Sequence, residues 1–226
     1  MQLGHAKLPC LFLVAVLLGA SGCEPPKTIE DGAEARVRRT FAAYKAALLA
    51  KDGQAAVTMV SEETLAYFEA RRRDALTLSA AETRGTRLMD KTMILILRAR
   101  LGNELADMSR ERLFSHAVDQ GWVGSEVATI EVAKVQVTSD GMQAATGLRS
   151  GTQVVPVGQG FVFFLRDGTW KIDVMSVVNA DTDRSFEAQL KTIDPDLDTA
   201  LLKLVSTLTG TPQTVALFEP LAPGAR

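Results

Sequence analysis

Few side chains in this sequence are equipped for covalent or proton-transfer chemistry, and their positions narrow the choice further. The 226 residues include two histidines and two cysteines. His5 and Cys10 fall in an apolar leader, so Cys23 and His116 are what remains. A single histidine without a Gly-x-Ser-x-Gly turn gives no recognisable nucleophile arrangement. His116 falls near the expected end of a helix, where its charge or hydrogen bonding suits the last carbonyls; catalysis is the competing role. A zinc site built from Cys and His lacks ligands. Asp194-Pro195-Asp196-Leu197-Asp198 has the opening spacing of a calcium loop, but Thr199 stands where the turn needs glycine and Val205 where it needs glutamate. Gly158-Gln159-Gly160 precedes a strand, which suits a turn and not a dinucleotide fingerprint. No metal or cofactor is therefore expected. One carboxylate stands out. Asp173 lies between Ile172 and Val174, and on a face lining an interior it would be desolvated, its pKa raised, and able to act as base or acid. Paired with Lys171 or another cation, or facing solvent, it would do neither.

The leader carries Lys7 as its only formal charge, an apolar run from Leu8 to Leu18, and small residues up to Gly22. That is a secretory signal over 1–22, too short to span a bilayer comfortably. Its end, Ala20-Ser21-Gly22-Cys23, resembles the lipobox of bacterial lipoproteins, with Ala20 where leucine is favoured. The resemblance implies that Cys23 is acylated, with palmitate-type chains, and becomes the N-terminus. The alternative is ordinary cleavage nearby, leaving an odd thiol in an oxidising compartment. Each buried methylene of an acyl chain contributes about 0.8 kcal/mol, so two or more chains hold a protein on a membrane without a spanning helix. Glu24 is not the aspartate associated with retention at the inner membrane, so the expected location is the cell envelope, on the outer membrane facing the periplasm. Residues 23–32, with Pro25 and Pro26, read as an extended tether. The mildly acidic balance offers no basic footprint for nucleic acid. Arg71-Arg72-Arg73 reads as a solvated helix end, or as a contact with anionic lipid.

These residues need elements to position them. Val37, Phe41, Tyr44 and Leu48 recur at helical spacing over 33–51, ended by Asp52-Gly53. Ser61 is a candidate cap for a helix running to about Ala75, and Ser79-Ala80-Ala81-Glu82 fits a capping box opening a long helix stopped by Gly102. Within it, Met93 to Leu97 reads as helix or as buried strand, with the cap and the glycine favouring helix. Another helix is expected over 103–120. Residues 126–138, 142–148, 153–166 and 169–178 read as four antiparallel strands. The last two are joined by the hairpin signal Asp167-Gly168, which sets Leu165 opposite Trp170, Phe163 opposite Ile172 and Phe161 opposite Val174. A helical region over 183–208 is expected to break at Asp194-Pro195, and the proline-rich tail to follow the surface.

The order of helices followed by an antiparallel sheet, with Phe41 to Gly53 at one end and Phe161 to Ile172 at the other, is similar to the NTF2-like superfamily. The resemblance implies an α+β cone: N-terminal helices on a curved antiparallel sheet of about four strands over 33–178, with a helical insertion near 79–120 and a helical extension over 179–226. It implies a pocket for which Tyr44, Phe163, Trp170 and Asp173 are candidates, although the three aromatics suit a core equally well. The superfamily includes isomerases and dehydratases beside non-catalytic binding domains, so fold does not choose function. The expectation is a lipid-anchored envelope protein that binds a partner protein or a small apolar ligand without catalysis. The alternatives are a hydrolase, isomerase or dehydratase using Asp173, and a structural subunit of an envelope assembly.

Overall fold

The computed structural model describes residues 32–221. The expected signal, Cys23 and the tether as far as residue 31 lie outside the described residues. Helix α1 (Ala33–Ala50) buries Val37, Phe41, Tyr44, Ala47 and Leu48, the stripe its spacing predicts. Lys51, in the left-handed conformation with φ 54°, ends it. Gly53 instead opens α2 (Gly53–Val57), which Asp52 caps by accepting a 2.8 Å hydrogen bond from the Ala55 N–H. Helix α3 (Glu62–Thr77) is capped by Ser61.

The long helix expected after Ser79 is two. The capping box is present at α4 (Ala80–Gly85), but Thr86 and Arg87 are extended before α5 (Leu88–Leu101). Gly85 is a poor helix former, and the Thr86 hydroxyl donates to the Thr83 carbonyl, which closes the turn. The helix expected over 103–120 is likewise divided. Gly102–Asp107 is a 3-10 turn, and Ser109 then caps a fresh helix, α6 (Arg110–Asp119). Met93 to Leu97 is helical. Ile94 and Leu97 enter the main core while Leu95 enters a second cluster, and a helix buried on two sides shows no polar face.

Among the described residues the strands are five, all antiparallel in an open sheet: β1 (Ile130–Val137), β2 (Gln143–Ser150), β3 (Gln153–Val155), β4 (Val162–Arg166) and β5 (Thr169–Asp173). Their order is β1-β2-β4-β5, with β3 pairing the C-terminal part of β2. A register shift between Val132 and Lys134 bends β1. The strand expected over 153–166 is broken because Gly160 leaves the β3 line to reach β2; a Cβ there would stand 2.4 Å from the Thr146 carbonyl oxygen. Residues 125–129 and 174–177 form 3-10 turns where strand was expected. The hairpin has the expected register, Leu165 opposite Trp170 and Phe163 opposite Ile172. The third expected pair does not form, since Phe161 precedes β4 and Val174 follows β5. The outer edge of β5 is closed by Met59 to Ser61, which exchange two backbone hydrogen bonds with Ile172.

Helices α7 (Ala180–Ile193) and α8 (Leu197–Thr209) are separated at Asp194-Pro195, but it is Asp196 that caps α8. They pack on the outer side of α5 around Leu95, Leu190, Leu201 and Val205. The tail does more than follow the surface. Phe218, in a 3-10 turn over Val215–Phe218, is fully buried in this second cluster.

Candidate functional site

The helical layer and the sheet do not close completely on each other. Between α1, α3, α5, the loop after α6, the start of β1 and the segment after β5 lies a cavity of about 310 Å³. This is near the small end of the roughly 300–1,000 Å³ of ligand sites. Helix α1 contributes Tyr44 and Leu48, one helical turn apart, and α5 contributes Met89 and Met93 at the same spacing. Methionine is unbranched and adapts its shape to what it touches. Phe161 enters from the loop before β4 and Met175 from the turn after β5. None of the lining side chains is charged.

Trp122 forms part of the rim and is held from two directions. The Arg100 guanidinium lies 4.5 Å from its ring centroid, and the His116 ring meets it edge-on at 5.1 Å. Its backbone is fixed because Gly121 adopts φ 68° and the Trp122 N–H bonds the Ala117 carbonyl at 2.8 Å. Gly124 completes this wall where any Cβ would collide with the Leu48 side chain. His116 thus supports an aromatic wall from near the end of α6.

The candidate residues are distributed unequally. Tyr44 lines the cavity and is only 2 % exposed. Phe163 and Trp170 are buried in the core against the helices and do not contribute to the lining. Asp173 does not line it either. Its carboxylate accepts hydrogen bonds from the Met175 N–H at 3.0 Å and the Thr64 hydroxyl at 3.2 Å, and the Thr64 oxygen accepts from the Val174 N–H. Desolvation raises its pKa, opposed by these hydrogen bonds, with the nearby Glu63 charge adding to the rise. Lys171 is not its partner and donates to the Thr58 carbonyl. Asp173 ties the start of α3 to the end of β5.

Other expectations resolve similarly. Asp194 pairs with Lys203, Asp196 is a helix cap, and Asp198 pairs with Arg84, so the three acids are separately engaged. Among the described residues no group of three or more His, Cys, Asp or Glu is placed to hold a metal ion, and no helix is long and apolar enough to cross a membrane. Arg71 is mostly buried and bridges Asp74 and Asp90, and Arg72 pairs with Glu69; of the triplet, only Arg73 is exposed. Met89, Met93, Phe161 and Met175 escaped sequence reasoning, since apolar residues at helical or strand spacing read as core. Trp122 beside Gly121 was the one available signal. No family model matches the chain, and no curated protein and no solved structure matches it.

Proposed function

We propose that this is a lipid-anchored protein of the bacterial cell envelope, its anchor at Cys23 and its α+β domain a non-catalytic binder of a small apolar ligand. The observation that carries the binding reading is the cavity itself: partly enclosed, walled by aromatic and methionine side chains, and without a charged residue. Such a surface favours burial of hydrocarbon, at roughly 25 cal/mol per Å² removed from water. A domain of the NTF2-like kind is supported by the order of elements, with α1 packed over an antiparallel sheet that ends in the β4–β5 hairpin. Catalysis through Asp173 draws no support from its position, because one carboxylate oxygen accepts both the Thr64 hydroxyl and the Met175 N–H in fastening α3 to β5, and the residue stands apart from the cavity lining.

Native mass spectrometry of the protein gently extracted from its own membrane tests both halves at once. The expected result is an acylated N-terminus at Cys23 and a retained small molecule released on denaturation. A Cys23→Ala protein that stays on the membrane, with an unmodified cysteine in the wild type, would overturn the anchor. A protein that copurifies with stoichiometric subunits and carries no ligand would favour the structural-subunit reading instead.

A further inference from the structure

Two side chains of the cavity wall carry a polar atom, and one of them, Tyr44, is almost wholly buried. Of the lining side chains, only Tyr44 and Trp122 carry an oxygen or nitrogen. Trp122 is the more exposed of the two, being only partly buried. Tyr44 is 2 % exposed and accepts or donates no side-chain hydrogen bond to a described residue, yet its oxygen is not among the fully buried unpartnered atoms, so what little of it is accessible opens on the cavity it lines. A phenol oxygen bordering an apolar space gains from an acceptor there, one neutral hydrogen bond contributing about 0.5–1.5 kcal/mol. Here the protein supplies none on a side chain that borders an otherwise apolar space.

We infer that the cavity holds a compact, uncharged, largely hydrocarbon molecule carrying one acceptor oxygen, of ketone, ester or ether type, which receives the Tyr44 hydrogen. This deepens the ligand-binding reading above and rests on it. Charge is excluded on the ligand side by the same lining: an ion there would be stripped of water with no counter-ion, at a cost of several kcal/mol. Burial holds the phenol neutral well above its ordinary titration range, so it acts as a donor at every working pH. The remaining wall, with Met89, Met93, Met175 and Phe161, gives contact area without directional demands, which leaves Tyr44 to set orientation.

The test is calorimetric titration of the full-length protein with three probes of similar size: α-tetralone, which has one carbonyl; tetralin, which has none; and naphthoate, which is charged. Tetralone is expected to bind about fivefold more tightly than tetralin, the equivalent of ~1 kcal/mol for one neutral hydrogen bond. Naphthoate is expected to bind at least about tenfold more weakly than tetralone. Tyr44→Phe should bring tetralone down to the affinity of tetralin and leave tetralin itself unchanged, which also reports that the variant keeps its cavity. Equal affinities for tetralone and tetralin in the wild type would overturn the role of Tyr44 while leaving the cavity as a binding site. So would an equal loss of both probes in Tyr44→Phe. Naphthoate binding most tightly would overturn the exclusion of charge. Failure of every probe to bind the wild type would remove the ligand-binding reading, and this inference with it.

Discussion

Replacing Arg98 by methionine should be among the most damaging single changes outside the cavity. Arg98 is 4 % exposed, and among the described residues no salt bridge holds it, the Glu219 charge acting on it only at longer range. Its guanidinium donates instead to oxygens from three separate segments. The Ala75 and Leu78 carbonyls at the end of α3 accept at 2.8 and 2.6 Å, the Thr83 hydroxyl of α4 at 3.2 Å, and the Phe218 carbonyl of the tail at 2.5 Å. The cation faces the negative end of the α3 dipole, a favourable placement, while desolvation lowers its pKa from the usual arginine range. Methionine keeps the apolar stem but strands at least three carbonyls. At about 1–3 kcal/mol for each buried acceptor, and allowing the tail to loosen and admit water, the expected loss is roughly 3–5 kcal/mol. That is a large part of the roughly 5–15 kcal/mol that keeps a domain folded. With a urea dependence near 2 kcal/mol per molar, the unfolding midpoint should fall by about 2 M. Urea titration followed by circular dichroism measures this directly. A loss below about 1 kcal/mol would show that the carbonyls find water or other donors at little cost, and would refute the claim that one cation fastens α3, α4 and the tail.

Three other expectations follow from close contacts elsewhere. Gly53→Ala would place a Cβ 2.2 Å from the Ser115 carbonyl oxygen and 2.6 Å from an Asp119 carboxylate oxygen, so α2 and α6 must separate; a loss of about 1–3 kcal/mol in urea titration is expected. Desolvation raises the pKa of Asp173, so the folded state holds its proton more firmly than the unfolded chain, and this group's contribution falls as pH rises above about 4. Asp173→Asn removes that dependence, and the variant should gain stability relative to wild type as pH rises from the ordinary carboxylate range, about 4; a difference that shrinks as pH rises would contradict the assignment. The free edge of β1 is covered by α1 side chains, Lys45 donating to the Ala128 and Ile130 carbonyls at 2.7 and 2.9 Å and Arg38 to those of Val132 and Ala133. The double variant Arg38→Ala, Lys45→Ala leaves that edge as a template for another strand, so sedimentation should show mass rising with concentration where the wild type shows none.

What the sequence disclosed depended on how local the determining contact is. Caps and turns are decided within four residues, and Ser61, the Ser79–Glu82 box and Asp167-Gly168 all occupy the positions their types predict. Breaks set by distant partners were invisible. Gly160 interrupts a strand because its backbone must approach Thr146, and Phe218 turns inward because its carbonyl accepts from Arg98, far earlier in the chain. The run Met93 to Leu97 was ambiguous for a related reason, since a helix with cores on both sides loses the polar face that would show its period.

The candidate site followed the same division. Tyr44 was legible as a buried aromatic on α1, and nothing in the sequence distinguishes a core tyrosine from one facing a cavity, because that depends on whether another element supplies a hydrogen-bond partner. Asp173 was singled out for its apolar neighbours, yet strand alternation could not reveal that β5 ends there and turns its carboxylate toward Thr64. The two residues therefore exchange the emphasis that composition gave them. The carboxylate, chemically the more versatile group, has one oxygen held by the fold through Thr64 and Met175, while the phenol, chemically the quieter one, lines the cavity without a protein acceptor. A cavity-lining hydroxyl that no protein acceptor engages points to a ligand more strongly than a carboxylate the fold already holds, because a molecule that fills the cavity can bring the acceptor in place of water.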